Sequence, residues 1–590
     1  MRSRKGNPKE IWAKQQFASH TLREARIAQA QQARAERRFN DVRALANSLL
    51  FDIHDSIRDL PGSTAARKVL VDRAVQYLDS LAQEAVADPG LLREVASAYE
   101  RLGDVPGKPL NASLGDSAGA LQSYSKSLAL LQKLSQNGKG YADDAIRLAK
   151  IHRAIANADL ESGDIGGALE HAKKAVAVAT SVLDSAMRNN QSAASELGWD
   201  YMTLGNIESG VYSSSTGLSD PSAALNHFEK ALAIASQLLK NDPGSVALAH
   251  QNALLYQHIG GLQGLMMGRR SEGVENLSVA LNTFRSLAAR SNNAGFQRGV
   301  GAISSVIGAV LIMDGRFQSA LTNFRQELAI FKSLSERDVQ DIQARADLAS
   351  AYCDMGGTLM RLGRLDEGLA SIRRAIALDK QLIAFDPKHG AFRGGLAQHG
   401  VMEAETLIRT GDAAGALERY KEALSFYSGL ARLDEHNLDA RLNVAATDVK
   451  IAATLLRLGR VDEAHETYQR ALQVMEPAAS SNALNQNQQA QYTLADAYSG
   501  LGDVALYLAR RIKYPIKQIY YRREAISWYE KSLTIWQAIP NRAVISSAGF
   551  DLGDPAQVAN HLAVCKAALE KLKPSPFVTT ESKALRSPNL

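Results

Sequence analysis

Along most of this 590-residue chain, apolar positions recur at three- and four-residue steps, as in helices that bury one face, and glycine resets the stepping at even intervals. The reset is sharpest four times, in GRFQSALTNFRQELAI from Gly315, GRLDEGLASIRRAIAL from Gly363, GDAAGALERYKEALSF from Gly411 and GRVDEAHETYQRALQV from Gly459. Successive glycines are 48 residues apart. A fixed period of that size predicts a stacked repeat protein.

Each phrase reads mechanically. Glycine ends one helix where the chain must pass through a left-handed conformation, and a second helix follows after one turn residue. The inner stripe of that second helix carries a small residue (Ala320, Gly368, Ala416, Ala464), then a large one (Phe324, Ile372, Tyr420, Tyr468), then Leu328, Ile376, Leu424 and Leu472. Small residues let a partner helix approach, and large ones fill the space beside it. The partner lies upstream, with its own close-approach pairs at Ile307-Gly308, Met355-Gly356 and Ile451-Ala452. The unit is an antiparallel helical hairpin.

These residues resemble the tetratricopeptide repeat, whose hairpins carry a Leu-Gly pair, a turn glycine, then alanine, an aromatic residue and Ala-Leu. The resemblance implies an all-α, right-handed superhelical α-solenoid. A period of 48 makes each helix about two turns longer than usual for that family. Looser copies precede the regular ones: Gly103 with Ala120 and Tyr124, Gly163 with Ala168, Leu204-Gly205 with Ala224 and Phe228, and Ile259-Gly260 with Leu281. The last unit, from Leu501-Gly502 to Ala525 and Tyr529, is lengthened by 13 residues. About nine hairpins are expected over 91–540, behind a basic helical stalk and docking helix over 1–60 and a linking helix over 61–90. A capping helix within 541–572 and a disordered tail over 573–590 complete the expected order.

Charge changes the picture at the N-terminus. The net charge is +6, but residues 1–50 hold 11 Lys/Arg against 4 Asp/Glu, leaving 57 against 58 for the rest. The basicity belongs to the stalk, which reads as a solvated helix, a self-associating coil or a segment lying on anionic lipid. Two cysteines, Cys353 and Cys565, make no disulfide framework and read as packed thiols. No run is expected to reach the roughly 18 apolar residues of a membrane span, and the first residues lack the apolar core of a signal peptide, so a cytoplasmic location is expected.

A narrower resemblance lies in RRFNDVRALANSLLFDIHDSIRDLPGSTAARKVLVDRAVQYLDSL, followed by LREVASAYERLGDV and GDSAGALQSY. Over about residues 20–570 the chain is similar to the C-terminal repeat region of certain bacterial membrane-anchored serine/threonine kinases. That resemblance implies a sensing or docking role, with a kinase among the partners. Kinase activity does not carry over, because the phosphate loop, the Val-Ala-Ile-Lys strand, the His-Arg-Asp loop and Asp-Phe-Gly are all absent.

No P-loop, His-Glu-x-x-His or Gly-x-Ser-x-Gly occurs, so no catalytic, metal or cofactor residue is expected, and the chain reads as a non-enzyme. The candidate chemistry is cationic. Arg361, Arg409 and Arg457 recur at 48-residue steps in LMRLGR, LIRTGD and LLRLGR, with Arg101 in YERLGD as a distant fourth. Stacked in register, they form a ladder that grips an acidic peptide or a C-terminal carboxylate in the groove of the resembled family. Alternatively, each answers the negative end of its own helix. Arg510, Arg511, Arg522 and Arg523 lie in the late insert ARRIKYPIKQIYYRR, which holds six basic and no acidic residues. The insert reads either as a nucleic-acid contact through phosphate pairing and tyrosine stacking, or as a rim loop whose tyrosines pack beside Trp528 and Trp536. Taken together, a protein or peptide scaffold is expected, with a kinase-associated docking region and a nucleic-acid-associated repeat as alternatives.

Overall fold

A computed structural model of the chain describes residues 64–84, 88–104, 117–136, 142–162, 164–184, 190–209, 220–291, 293–337, 339, 341–385, 387, 390–433, 438–480, 488–539 and 553–572. The expected stalk and docking helix over 1–60, the Pro/Gly loop at 105–116, the lengthened turn at 210–219, the first part of the capping segment and the tail from 573 lie outside these residues. Among the described residues there are twenty α-helices, one short π segment and no strand, so the all-α class expected from the repeat is the one observed.

The chain divides into two compact units at Ser123. In the first, α1 (Thr64–Glu84) packs on α2 (Pro89–Asp104). Asp88 starts α2 by accepting from the amides of Gly90 and Leu91, at 2.8 and 3.2 Å, with Pro89 in the first turn where its missing N–H costs nothing. The hydroxyl of Tyr99 donates to Asp79 across the pair at 2.5 Å. A third helix, α3 (Ser117–Gln136), crosses the division between the units.

The second unit is a succession of hairpins: α4 (Ala142–Ser162) with α5 (Ile165–Asp184), α6 (Gln191–Glu208) with α7 (Pro221–Asn241), and α8 (Val246–Gly261) with α9 (Arg270–Arg290). Next come α10 (Ala294–Met313) with α11 (Phe317–Arg337), α12 (Ile342–Arg361) with α13 (Leu365–Phe385), and α14 (Gly390–Thr410) with α15 (Ala413–Leu433). Then follow α16 (Leu438–Arg457) with α17 (Val461–Ser480), α18 (Gln488–Arg511) with α19 (Pro515–Ala538), and a single α20 (Pro555–Leu572). From α4 to α20 each helix packs on its neighbour along the chain, and several first helices also meet the first helix of the next hairpin.

The four regular turns work as the sequence predicts. Gly315, Gly363, Gly411 and Gly459 have φ of 73, 78, 91 and 75°. The next residue donates its amide to the carbonyl five positions back, as in Arg364 to Leu359 and Arg460 to Leu455, both 2.9 Å. This closes the first helix with a left-handed cap. That same residue opens the second helix: Arg364 and Arg460 each pair with the glutamate three residues on, and Asp412 accepts from the amide of Gly415 at 2.8 Å. One residue thus serves both ends of the turn.

Behind the turns, rings sit on glycines. A Cβ at Gly205, Gly308 or Gly502 would lie 2.7, 2.5 or 2.5 Å from the ring of Phe228, Phe324 or Tyr529, so these helices touch across a gap that only hydrogen fits. The aromatic rings are themselves almost wholly buried.

One expectation needs correction. Ala294–Met313, which is α10, is long and apolar enough to cross a membrane, with a mean hydropathy of 1.5. Its Val300, Ile303, Ile307 and Val310 are buried in a cluster with Leu277, Phe284 and Phe324 from α9 and α11. A helix covered on two sides is apolar nearly all round, which explains the composition without a bilayer.

Candidate functional site

The three arginines of the ladder occupy equivalent last turns, but their surroundings differ. Arg361 is half-buried and folds back on its own helix: Nη1 donates to the carbonyl of Gly357 at 3.0 Å and lies 3.9 Å from the sulfur of Met402. Burial raises the carboxyl of Asp354, and the charge of Arg361 opposes that rise. Arg409 is exposed at the end of α14. Arg457 is exposed too, lines a cavity, and makes no hydrogen bond or ion pair among the described residues.

That cavity, about 370 Å³, lies between the first helices of successive hairpins. Two cations seven residues apart, Lys450 and Arg457, come from α16. Two acids seven residues apart, Asp496 and Asp503, come from α18, and α20 adds His561. Seven residues are about two helical turns, so each pair shares one face. The floor is aromatic: Tyr468, against which a Cβ at Gly500 would stand 2.1 Å away, and Tyr529.

Most of these groups are already engaged. Lys450 pairs with Glu405 at 3.0 Å. Asp503 accepts from the Tyr529 hydroxyl at 2.7 Å and contacts His561 Nδ1 at 2.9 Å. Burial lifts the Asp496 carboxyl to about 6, against the pull of Lys450 and of the Gly553 amide, which donates to it at 3.3 Å. Burial likewise pushes both tyrosine hydroxyls well above their ordinary value, so they stay neutral donors. Ser499 donates to the carbonyl of Asp496 at 3.0 Å while His561 turns to Asp503, so the two form no nucleophile–base pair. Among the described residues no group of His, Cys, Asp and Glu could hold a metal ion. Of the charged groups lining the cavity, the guanidinium of Arg457 is left without a hydrogen bond or ion pair among the described residues.

Sequence reasoning missed a polar seam that stitches first helices together about one repeat apart. Arg153 of α4 contacts both Glu196 and Asp200 of α6, at 2.8 and 3.3 Å. Arg298 of α10 forks onto Asp341 and Asp347, at 2.9 and 2.8 Å, and Ser305 donates to Asp354 at 3.2 Å. Beside this seam, His399 of α14 meets Asp379 of the preceding second helix, α13, at 2.6 Å. Desolvation raises several of these carboxyls: burial lifts Asp354 to about 6, and burial reinforced by Glu196 lifts Asp200 to about 8 despite Arg153. Glu327, almost fully buried beside Asp354, is pushed up in the same way.

The late basic insert is not a rim loop. It is helix on both sides of a three-residue turn, 512–514. Arg511 lies over the ring of Tyr507 at 4.9 Å, Arg510 and Arg523 are exposed, and Arg522 is half-buried, its charge reaching the Cys565 thiol. Trp528 and Trp536 are stacked by Tyr498 and Tyr492, while Tyr520 meets Tyr521. Both cysteines are free and buried.

Comparison with known proteins agrees on the repeat. A tetratricopeptide repeat family model matches residues 349–382. The match covers the α12–α13 hairpin, with its Gly356, Gly363 and Gly368. Among solved structures, the chain is similar to a Rap protein complexed with Competence and Sporulation Factor, at 11% identity, 72% of this chain, 99% of that one and a TM-score of 0.35. The Rap conjugation gene regulator of the plasmid pLS20 in complex with the Phr* peptide gives 14%, 85%, 98% and 0.35, and yeast Tom70 gives 14%, 92%, 99% and 0.32. No curated protein matches the chain.

Proposed function

We propose that this chain is a non-catalytic scaffold that holds a protein segment in the cleft between α16, α18 and α20, with Arg457 as the anchor for a carboxylate. The carrying observation is that Arg457 alone of the three ladder arginines both lines a cavity and keeps its guanidinium uncommitted among the described residues. A guanidinium presents a planar fork matched to a carboxylate, and the aromatic floor beside it suits an apolar side chain of the same segment. Arg361, bound to its own helix, contributes structure rather than recognition.

The test is fluorescence anisotropy of the chain against a library of short labelled peptides, each made with a free C-terminus and as the amide. The free acids of one subset should bind, and Arg457→Ala should weaken them about tenfold to a hundredfold, the worth of one charged hydrogen-bonded contact. Arg361→Ala should leave binding within a factor of about two, since its hydrogen bond is internal. Equal binding of acids and amides, or indifference to Arg457→Ala, sinks the reading. If the selected sequences occur in a serine/threonine kinase, the docking role implied by the narrower resemblance becomes the working identity.

A further inference from the structure

The last hairpin is built differently from the regular ones, and the difference is confined to its tip. From the close-approach glycine to the end of the first helix there are five residues in α10 (Gly308–Met313) and α12 (Gly356–Arg361), but nine in α18 (Gly502–Arg511). From the start of the second helix to the packed side chain there are seven residues in α11 (Phe317–Phe324) and α13 (Leu365–Ile372), but fourteen in α19 (Pro515–Tyr529). At 1.5 Å per residue the tip stands about 6–10 Å beyond the level of the regular turns.

What it carries there is unusual for a surface that meets only water. Ile516 is 83% exposed, Tyr514 70% and Tyr520 62%, three of the four most exposed large hydrophobic residues described, within seven positions. Scattered apolar residues are ordinary on a protein surface; a cluster at a projecting end is not. Around them stand the exposed cations Arg510, Arg511, Lys513, Lys517 and Arg523, with no acidic residue between Asp503 and Glu524. The tip is also held in shape. Pro515 sits in the first turn of α19, the amide of Gln518 donates to the carbonyl of Tyr514 at 2.9 Å, and its side chain donates to that of Ile512 at 2.6 Å.

We propose that the tip of the α18–α19 hairpin is a docking surface for an anionic lipid membrane, with Tyr514, Ile516 and Tyr520 entering the headgroup boundary and the surrounding cations meeting lipid phosphates. Interfacial binding joins a shallow apolar insertion to electrostatic attraction, and tyrosine suits a boundary that is apolar at one end and wet at the other. Nucleic acid fits less well. The most exposed side chain, Ile516, is aliphatic and offers no face on which a base stacks, whereas a bilayer rewards its burial. This surface is separate from the peptide cleft and does not depend on it.

The test is vesicle flotation of the full chain with phosphatidylcholine alone and with phosphatidylcholine mixed with phosphatidylglycerol. Because the basic residues of 1–50 are present in every arm, the reading is the difference between the native chain and two tip variants, Tyr514→Ser/Ile516→Ser and Lys513→Glu/Lys517→Glu. All four substituted side chains are exposed, so both variants should keep native helicity. The native chain should float with the anionic vesicles and not the neutral ones, and each variant should partition at least about tenfold more weakly. Equal flotation of variants and native chain, or no flotation of the native chain, overturns the proposal. So does tip-dependent binding of a labelled single-stranded oligonucleotide without vesicle binding, which would assign the patch to nucleic acid.

Discussion

Replacing Arg153 by methionine should cost about 3 kcal/mol of folding stability, measured by urea unfolding at pH 7.5, because it leaves the Glu196 carboxylate without its cation and takes a hydrogen-bonding partner from Asp200. Asp200 has no exposed surface, the Glu196 side chain is 11% exposed, and one guanidinium serves both. Methionine fills much of the same volume, so the loss reports the missing charge and not a cavity. The pH dependence supplies a second reading at the same site. The folded Asp200 carboxyl sits near 8, far above its ordinary 3.8, because burial and Glu196 outweigh Arg153. The folded chain therefore holds a proton that the unfolded chain releases. The stability this contributes is full below about pH 4 and is lost as pH rises toward 8. Asp200→Asn keeps the shape of the protonated acid without its titration, so the variant should gain on the native chain as pH rises through that window. His152 and His258, both lowered to about 4 by desolvation, act in the opposite direction below about 6.5, but they are common to both proteins and cancel in the difference. A difference between the two that stays flat from pH 4 to 8 would show that Asp200 is ionised throughout.

The hairpins were legible in the sequence because their information is local. A turn glycine, the residue after it and the small and large positions of the second helix fall within one short phrase, and the φ values of Gly315, Gly363, Gly411 and Gly459 repeat with it. The close pairs read from Ile307-Gly308 and Met355-Gly356 are likewise where Phe324 and Ile372 press against backbone. The seam was not legible. Arg153 with Asp200, Arg298 with Asp347 and Lys450 with Glu405 are about one repeat apart, but every helix offers charged residues at such separations, and only stacking selects the pairs that meet. The ladder was legible only in its spacing. Identity at equivalent positions was visible, but the neighbour that decides each arginine's role, such as Met402 beside Arg361, sits on the next hairpin. The cleft draws on α16, α18 and α20, whose acids and histidine share no local pattern; His561 lies 58 residues from Asp503. The helical form of the late insert was not legible because a proline-containing basic stretch reads as a loop, whereas Pro515 starts a helix instead of breaking one.

Gly273→Ala and Gly368→Ala, ordinarily favourable substitutions in a helix, should each destabilise the chain. Both positions replace the usual alanine of the second helix, and the structure gives the reason. A Cβ at Gly273 would lie 2.7 Å from the carbonyl oxygen of Gly260 and 2.7 Å from the amide of Gly264; one at Gly368 would lie 2.8 Å from the carbonyl oxygen of Gly356 and 3.0 Å from the amide of Met360. In both hairpins the partner surface is backbone, which has no rotamer with which to give way. Around Gly260 the first helix even widens into the π segment Leu262–Met266, where Gly264 meets Gly273. Forcing a methyl group into such a contact costs about 1–3 kcal/mol or more, while exchanging glycine for alanine in a helix returns about 1 kcal/mol. A net loss of about 1 kcal/mol, rising to about 2 where the backbone cannot yield, is expected at each site. Gly400→Ala provides the opposite sign within the same molecule: that glycine is buried inside α14 with nothing within 4 Å of its Cβ, so only the propensity gain remains, up to about 1 kcal/mol. Urea unfolding of the three variants decides the matter. Two losses and one gain would establish that backbone contact, rather than helix propensity, dictates where this repeat keeps glycine, whereas a gain at Gly273 or Gly368 would mean that the hairpins are not packed as closely as described.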